Sequence, residues 1–384
     1  MTWDEERGAR AALATASGGG LRSLAALVAE HGAPEVWQTL RRGTTALAGR
    51  ARRIDLDEVQ ADTRRWGLRF IVPGDEEWPT ALAALADAET GRLDPGVGGV
   101  PLGLWLRGPL RLDELRLDRV GVGVVGSRAA SSYGERVAAD LAADLSSGGR
   151  SGSPAACLVV SGGAYGIDAA AHRGALSVGS TVAVLAGGLD EFYPKGNQQL
   201  LAAVAERGLL VSEVAPGGRP TKAGFLARNR MIAALCAGVV VIEAAHRSGA
   251  LNTAAWANRI HRPLMAVPGP VTSSISQGTN RLLQLGEASL VTSGQDVRDL
   301  LAPFEATRPE AERAVQRSLL DELPDLLVQV RECLRPRRPT SMDEITEATG
   351  LRAPDCLAAL GELEERGLVA QHPAGWVLAR PQSP

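Results

Sequence analysis

The sequence has 384 residues, 45% of them hydrophobic and 22% charged, which leaves room for two or three domains with buried cores and excludes a minimal disulfide or zinc scaffold. No apolar run approaches the roughly 20 residues a membrane helix needs, and the acidic start Met1-Thr2-Trp3-Asp4-Glu5-Glu6 lacks the basic and apolar regions of a signal peptide. A soluble, cytoplasmic protein with no membrane partner is expected. Net charge is −3, yet its distribution is uneven: residues 1–118 carry 15 basic and 18 acidic side chains, residues 304–384 carry 10 and 14, and only residues 119–303, with 16 and 12, are basic. The two lysines of the chain, Lys195 and Lys222, both fall in that basic middle. Cys157, Cys236, Cys333 and Cys356 are far apart and form no CxxC or Cys/His cluster, so no metal site or disulfide framework is expected.

Residues 1–67 read as a small helical domain of the helix-hairpin-helix or SAM-like kind. Short helices are expected over Ala11–Ala16, Leu21–Glu30 and Val36–Arg42, punctuated by Gly18-Gly19-Gly20, Gly32 and Pro34. DNA binding by a helix-hairpin-helix and a plain packing role are both open. Short apolar pieces, Phe70-Ile71-Val72 and Leu104-Trp105-Leu106, with a glycine-rich loop over 91–99, lead into a larger domain over 68–303.

Within that domain, near-continuous apolar runs alternate with amphipathic stretches. Strands are expected at Val122–Val125, Cys157–Val160, Thr181–Leu185, Leu209–Val211, Val239–Ile242, Leu264–Val267 and Ser289–Val291, each followed by a helix. The pattern predicts an α/β fold with a doubly wound, mostly parallel, extended Rossmann-like sheet covered on both faces. Ligands of such sheets sit at the carboxyl ends of the strands.

The loops at those ends carry the candidate chemistry. Gly121-Val-Gly123-Val-Val-Gly126 fits GxGxxG, but Gly121 and Gly123 lie inside the strand and the second strand ends without the acid that binds a ribose, so a dinucleotide site is rejected. Ser127-Arg128 follow, with a guanidinium suited to bidentate phosphate contact. Gly162-Gly163, at the start of a helix, read as a phosphate cradle, without any P-loop lysine. Asp168 reads as a hydrogen-bonding group and His172 as a packed helix residue rather than catalysts. Lys195 stands beside Phe192 and Tyr193, and Lys222 beside Phe225, Arg228 and Arg230. Cations interleaved with aromatic rings compose a single-strand binding groove. Arg228 and Arg230 point ~200° apart on a helix, so one of the two is expected in a structural ion pair. The fifth loop, Arg247-Ser248-Gly249-Ala250-Leu251-Asn252-Thr253, is faintly like the GGxGTxxE loop of phosphoribohydrolases, but the helix continues Ala254-Ala255-Trp256 with no acid. In the sixth, Asn280 can contact a base or cap a loop.

Residues 304–320 form a charged linker. Helices over Leu323–Leu334, Met342–Thr349 and Ala353–Glu365, then a hairpin over Leu368–Leu378, make 321–384 a winged helix. Its recognition helix is expected to pack Leu357, Leu360 and Leu363 inward and to expose Asp355, Glu362, Glu364 and Glu365. Such an acidic face opposes phosphate; only Arg335, Arg337 and Arg338 favour DNA.

Taken together, Val124-Val-Gly-Ser-Arg128, the string Ser161 to Leu176, Gly188-Leu-Asp190 with Tyr193-Pro194, Phe225 with Arg228-Asn-Arg230, Ser248-Gly249 with Thr253-Ala254, Pro268-Gly269 and Gly278-Thr-Asn280 make the chain resemble the DNA-processing protein A (DprA/Smf) family over about residues 68–302. The resemblance implies a dimeric, non-enzymatic, cofactor-free protein. It would bind single-stranded DNA, displace or cooperate with single-strand binding protein, and help load RecA during natural transformation. Ser127, Arg128, Gly162, Gly163, Lys195, Lys222, Phe225, Arg228, Arg230 and Asn280 would line its DNA site. The sequence departs from the family pattern at Gly163, Ala250 and Asn252. A nucleotide-processing enzyme using the same loops, and a regulator acting through the winged helix, are the alternatives.

Overall fold

The computed structural model describes residues 3–88, 96–117, 119–147, 156–302, 323–335 and 338–379. The chain divides into two compact units, Met1–Pro303 and Phe304–Pro384. The expected linker 304–320, Arg337 and most of the 91–99 loop lie outside the described residues.

The first unit opens with five helices, α1 (Glu5–Ser17), α2 (Arg22–His31), α3 (Ala33–Arg42), α4 (Ala46–Ala51) and α5 (Leu56–Arg65). Asp4, Thr45 and Asp55 cap α1, α4 and α5 by accepting backbone N–H bonds. The last two helices were not expected from the sequence. The expected boundary at residue 67 does not separate two cores: alanines and Leu13 of α1, Leu24 and Val28 pack in one apolar cluster with Phe70, Trp105, Leu185 and Leu210. Arg7 pairs with Asp75 at 2.6 Å, and the Trp105 indole N–H donates to Thr63 at 3.1 Å.

The rest of the unit comprises β1 (Arg69–Ile71), β2 (Leu104–Arg107), α6 (Glu114–Leu117), β3 (Gly121–Val125), α7 (Ser132–Ser147), β4 (Leu158–Ser161), α8 (Ile167–Val178), β5 (Thr181–Val184), α9 (Gln198–Arg207), β6 (Leu209–Ser212), α10 (Lys222–Leu235), β7 (Gly238–Val241), α11 (Ala250–Arg259), β8 (Leu264–Ala266), α12 (Gln277–Gln284), β9 (Ser289–Leu290) and α13 (Gly294–Leu301). The nine strands lie in the order β1-β2-β6-β5-β4-β3-β7-β8-β9. β1, β2 and β6 pair antiparallel and all other neighbours pair parallel, as the continuous Val/Ile/Leu runs predict. Every residue of β3 to β8 is buried. Gly121 and Gly123 lie within β3, where their job is close packing: a Cβ on Gly121 would come within 2.9 Å of the Leu235 carbonyl oxygen. Winding outward from β3, the chain runs through β4, β5 and β6, then returns to lay β7 on the other side, so β3 and β7 flank a topological switch point.

The second unit has α14 (Asp325–Glu332), α15 (Met342–Thr349), α16 (Ala353–Glu365), β10 (Val369–His372) and β11 (Gly375–Leu378), the two strands forming an antiparallel hairpin. Ser341 and Glu344 close a capping box on α15. One packing expectation is corrected: α16 buries Cys356, Leu360 and Leu363, spaced i, i+4, i+7, while Leu357 stands 56% exposed because it lies ~100° around the helix from that stripe. No helix among the described residues is long and apolar enough to cross a membrane.

Candidate functional site

At the carboxyl end of β3 the chain leaves through Gly126-Ser127-Arg128. Two neighbours fix this loop. The Ser127 amide donates to the Glu243 carbonyl at 2.7 Å, and its own carbonyl accepts the Ile167 N–H at 3.1 Å. The buried Glu243 carboxylate, just past β7, accepts the Ser131 N–H at 2.9 Å and the Ser131 hydroxyl at 2.5 Å, so it also sits at the positive start of α7. The Ser127 hydroxyl accepts the Ala129 N–H at 3.2 Å, a turn-making contact. Arg128 is thereby presented to solvent from a rigid base.

Its guanidinium lies 4.6 Å over the Phe225 ring, within cation–π range. Phe225 is in the first turn of α10, whose N-cap Thr221 accepts the Gly224 N–H at 2.9 Å. Tyr193, 49% exposed, stands 6.0 Å from Phe225 at an interplanar angle of 51°. Arg128, Phe225, Tyr193, Tyr165, Pro194 and Gly162 border a cleft of about 90 Å3 beyond β4 and β5. A larger groove of about 540 Å3, beyond β3 and β7, shares Arg128, Ala164 and Phe225 with that cleft.

Lys222 is exposed at the first position of α10, where a cation opposes the helix dipole and is disfavoured by about 0.3–1 kcal/mol unless an anion joins it. Lys195, 84% exposed in the short turn Lys195–Asn197, lies 3.8 Å from Glu191.

Gly162 and Gly163 are buried, and they do not act as a simple cradle. A Cβ on Gly162 would stand 1.2 Å from Nη1 of Arg228, so this residue is glycine to admit a guanidinium. Gly163 takes φ +67°, the left-handed region, and the Ala164 N–H that follows donates to Asp168 at 3.3 Å. Asp168 is therefore occupied inside the protein, as expected of it. His172 is fully buried with Nδ1 at 2.9 Å from the Thr181 hydroxyl, a packed helix residue.

The two arginines of α10 do point apart, yet both end in buried ion pairs. Arg230, fully buried, reaches Glu213 at 2.6 Å. It lines neither cleft, which corrects its assignment to the DNA surface: the carboxylate after β6 takes its charge. Arg228, 6% exposed, lies 3.8 Å from Asp168 and 3.4 Å from the Val184 carbonyl, and forms part of the floor of the larger groove. Burial pushes the Asp168 carboxyl above its ordinary range and the Arg228 guanidinium below its own. Asn280 takes the capping role open to it: its amide accepts the Gly269 N–H at 3.1 Å and donates to the Gly269 carbonyl at 3.0 Å.

The structure thus brings Ser127, Arg128, Gly162, Lys222, Phe225 and Arg228 to one place and sets Lys195 beside Tyr193 and Pro194 at its rim. Sequence reasoning had Tyr193 among the groove's rings but missed Tyr165 as a wall and Glu243 as the loop's anchor. Tyr165 stood in a string already singled out; Glu243 gave the weak signal of an acid ending an apolar strand.

The Gly18-Gly19-Gly20 hairpin does not face outward as a DNA-binding hairpin would. A Cβ on Gly19 would meet Glu213 at 2.9 Å, and one on Gly20 would meet Ala227 of α10 at 2.4 Å, so these glycines dock the N-terminal helices on the sheet domain.

The fold and site define a doubly wound α/β protein whose crevice is built from guanidinium, lysine and exposed aromatic rings, a class suited to ligands that carry both phosphate and bases. The chain belongs to the DNA recombination-mediator protein A family, whose family model matches residues 69–302; the DprA winged helix domain matches residues 312–375. It is 44% identical over 365 residues to a DNA processing protein DprA of Mycobacterium tuberculosis strain H37Rv, covering 93% of this chain and 90% of that one. It is 34% identical over 318 residues to protein Smf of Escherichia coli K12, covering 81% and 77%. Among solved structures, DNA processing protein A of Streptococcus pneumoniae superposes with a TM-score of 0.62 at 32% identity, over 77% of this chain and 98% of the other. DNA processing protein A of Helicobacter pylori, described for its single-stranded DNA binding mode, superposes with a TM-score of 0.51 at 28% identity, over 62% and 97%.

Proposed function

We propose that this protein binds single-stranded DNA in the crevice around Arg128 and acts as a recombination mediator, protecting incoming strands and helping to load RecA. In this reading it works in the cytoplasm as a homodimer, with single-strand binding protein displaced or cooperating, and without catalysis or cofactor. The observation that carries the reading is the Arg128 guanidinium over Phe225 with Tyr193 beside it, an arrangement in which a cation meets a phosphate while rings receive bases. Lys222, set against its own helix dipole, adds a place where an anion is wanted. Family membership and the single-stranded DNA binding of the Helicobacter pylori relative support it. Nucleotide processing is less well supported: the fifth loop supplies no acid, and the nearby Asp168 and Glu243 are already bonded within the protein.

Fluorescence anisotropy with labelled single-stranded and duplex oligonucleotides across a salt series tests this. Single strands should bind in preference, with a negative salt slope that Arg128→Ala makes shallower by about 0.7. Equal binding of duplex, or a slope untouched by the substitution, would remove the crevice from consideration.

A further inference from the structure

The Gly18-Gly19-Gly20 turn is taken up in docking, but a later turn of the N-terminal helices is not. Residues 36–54 hold five arginines, Arg41, Arg42, Arg50, Arg52 and Arg53, and no Asp or Glu, although residues 1–118 carry more acid than base. The five stand at the end of α3, in α4 and just past it, around the turn Gly43-Thr44-Thr45. The two helices bury Ala33, Val36, Ala48 and Ala51 and turn the arginines outward: all five are exposed, as are Thr44 and Thr45 at the tip.

The fold holds this cluster in place. Arg52 Nη1 donates to the carbonyls of Arg41 at 3.2 Å and Gly43 at 2.7 Å, which ties the end of α4 back to the turn. Arg50 Nε donates to the Ala16 carbonyl of α1 at 3.0 Å, and the Arg41 guanidinium lies 5.7 Å over the Trp37 ring. These groups are thus steadied by carbonyls and a ring, not by carboxylates. Arg7, Arg10, Arg69 and Arg111, from the same part of the chain, each reach an Asp or Glu at 2.6–3.0 Å. None of the five has a carboxylate at ion-pair distance among the described residues, and the guanidinium groups of Arg42 and Arg53 have no hydrogen-bond partner there either. Like charges so gathered repel one another, and an external polyanion relieves that repulsion.

What the patch lacks selects the polyanion. A single strand is held by rings that receive its bases as well as by cations, and Trp37, the one aromatic residue of the segment, is half-buried beneath Arg41. A duplex keeps its bases stacked and offers a regular line of phosphates, about one charge per 1.7 Å of axis. We propose that the α3–α4 face is a second nucleic-acid site, which takes duplex DNA by its phosphate backbone without reading sequence. It is separate from the single-strand crevice and does not depend on it: none of the five arginines borders the clefts around Arg128.

The test is anisotropy of a labelled blunt duplex and of an oligothymidylate across a salt series, with the full chain. Arg42 and Arg53, whose side chains hold nothing else in place, are replaced together by Ala or by Lys, and Arg128→Ala is the reference. Duplex should bind more weakly than single strands. The alanine pair should make the duplex salt slope shallower by about 1.8 and its affinity about 50-fold lower at about 0.1 M salt. The lysine pair should restore both, and neither pair should change oligothymidylate binding; Arg128→Ala should weaken the oligothymidylate and leave the duplex alone. A native protein that binds no duplex at low salt overturns the proposal, as does a duplex slope that the alanine pair leaves unchanged. Equal weakening of duplex and single strand by that pair would make the face an extension of the crevice, and tighter binding of an oligoglutamate than of duplex would make it a protein-docking face. Either result removes the duplex site. If single-strand binding alone is missing, the crevice reading falls and this site stands.

Discussion

Gly162→Ala separates two reasons for a glycine at the end of β4. If the residue is glycine so that a phosphate can approach the backbone, a methyl there should weaken DNA binding and leave the fold untouched. The structure gives it another partner: the added Cβ would stand 1.2 Å from Nη1 of Arg228 and 2.3 Å from its Cζ. The guanidinium is closely surrounded, with Asp168 at 3.8 Å and the Val184 carbonyl at 3.4 Å. Driving it out breaks a buried pair, which costs about 3–5 kcal/mol when one partner is left uncompensated. For a unit of this size that corresponds to a fall in Tm of about 5–8 °C. The two partners already sit uneasily, since burial works against the charged form of each, so the lower half of that range is the better expectation. Thermal denaturation followed by circular dichroism reads the effect. Most of it should vanish in an Arg228→Ala background, where the methyl fills vacated space, a non-additivity of the kind that neighbours show. A Gly162→Ala protein with unchanged Tm and a shallower DNA salt slope would refute the steric account and restore the phosphate one.

His172 makes the first unit acid-sensitive. Burial pushes its imidazole down to about 3, below the ordinary value of ~6.5, so the unfolded chain takes up a proton that the folded one refuses. Its contribution is complete above pH ~6.5 and is lost as pH falls toward 3, about 2 kcal/mol being gone at pH 5. Urea unfolding at pH 7 and pH 5 should show that loss in the native protein and much less of it in His172→Asn, which keeps a donor for Thr181; equal losses in both would exclude this histidine as the source. At the other face of α10, Glu213→Ala strands the Arg230 guanidinium, whose Nε and Nη1 have no other partner, and should cost about 3–5 kcal/mol. Because Arg230 lines neither cleft, the DNA salt slope of whatever fraction remains folded should match that of the native protein, and a changed slope would return Arg230 to the binding surface.

The parallel sheet was legible because burial on both faces leaves a mark that local sequence carries: runs such as Val239-Val-Val241 need no partner to be recognised. Helices α4 and α5 were not, since α4 is six residues containing a glycine and α5 is mostly polar; their clearest signals were the caps Thr45 and Asp55. Leu357 was misread because leucines at 357, 360 and 363 also have helical spacing, and only the fold shows that Cys356 takes the inward position.

The binding residues were harder for a different reason. A sequence shows that an arginine needs a counter-charge but not who provides it. For Arg230 and Arg228 the protein does, through Glu213 and Asp168, residues that local spacing could not pair with them. For Arg128 and Lys222 no carboxylate stands at ion-pair distance among the described residues, although the charge of Arg128 acts on Asp168. Asn280 and the Gly19-Gly20 hairpin follow the same logic, their contacts being made inside the chain with Gly269, Glu213 and Ala227. What distinguishes ligand-facing groups from structural ones is thus the bond left unmade, which only the assembled fold reveals. By that criterion Arg128 and Lys222 are the cations that the proposed reading offers to a strand.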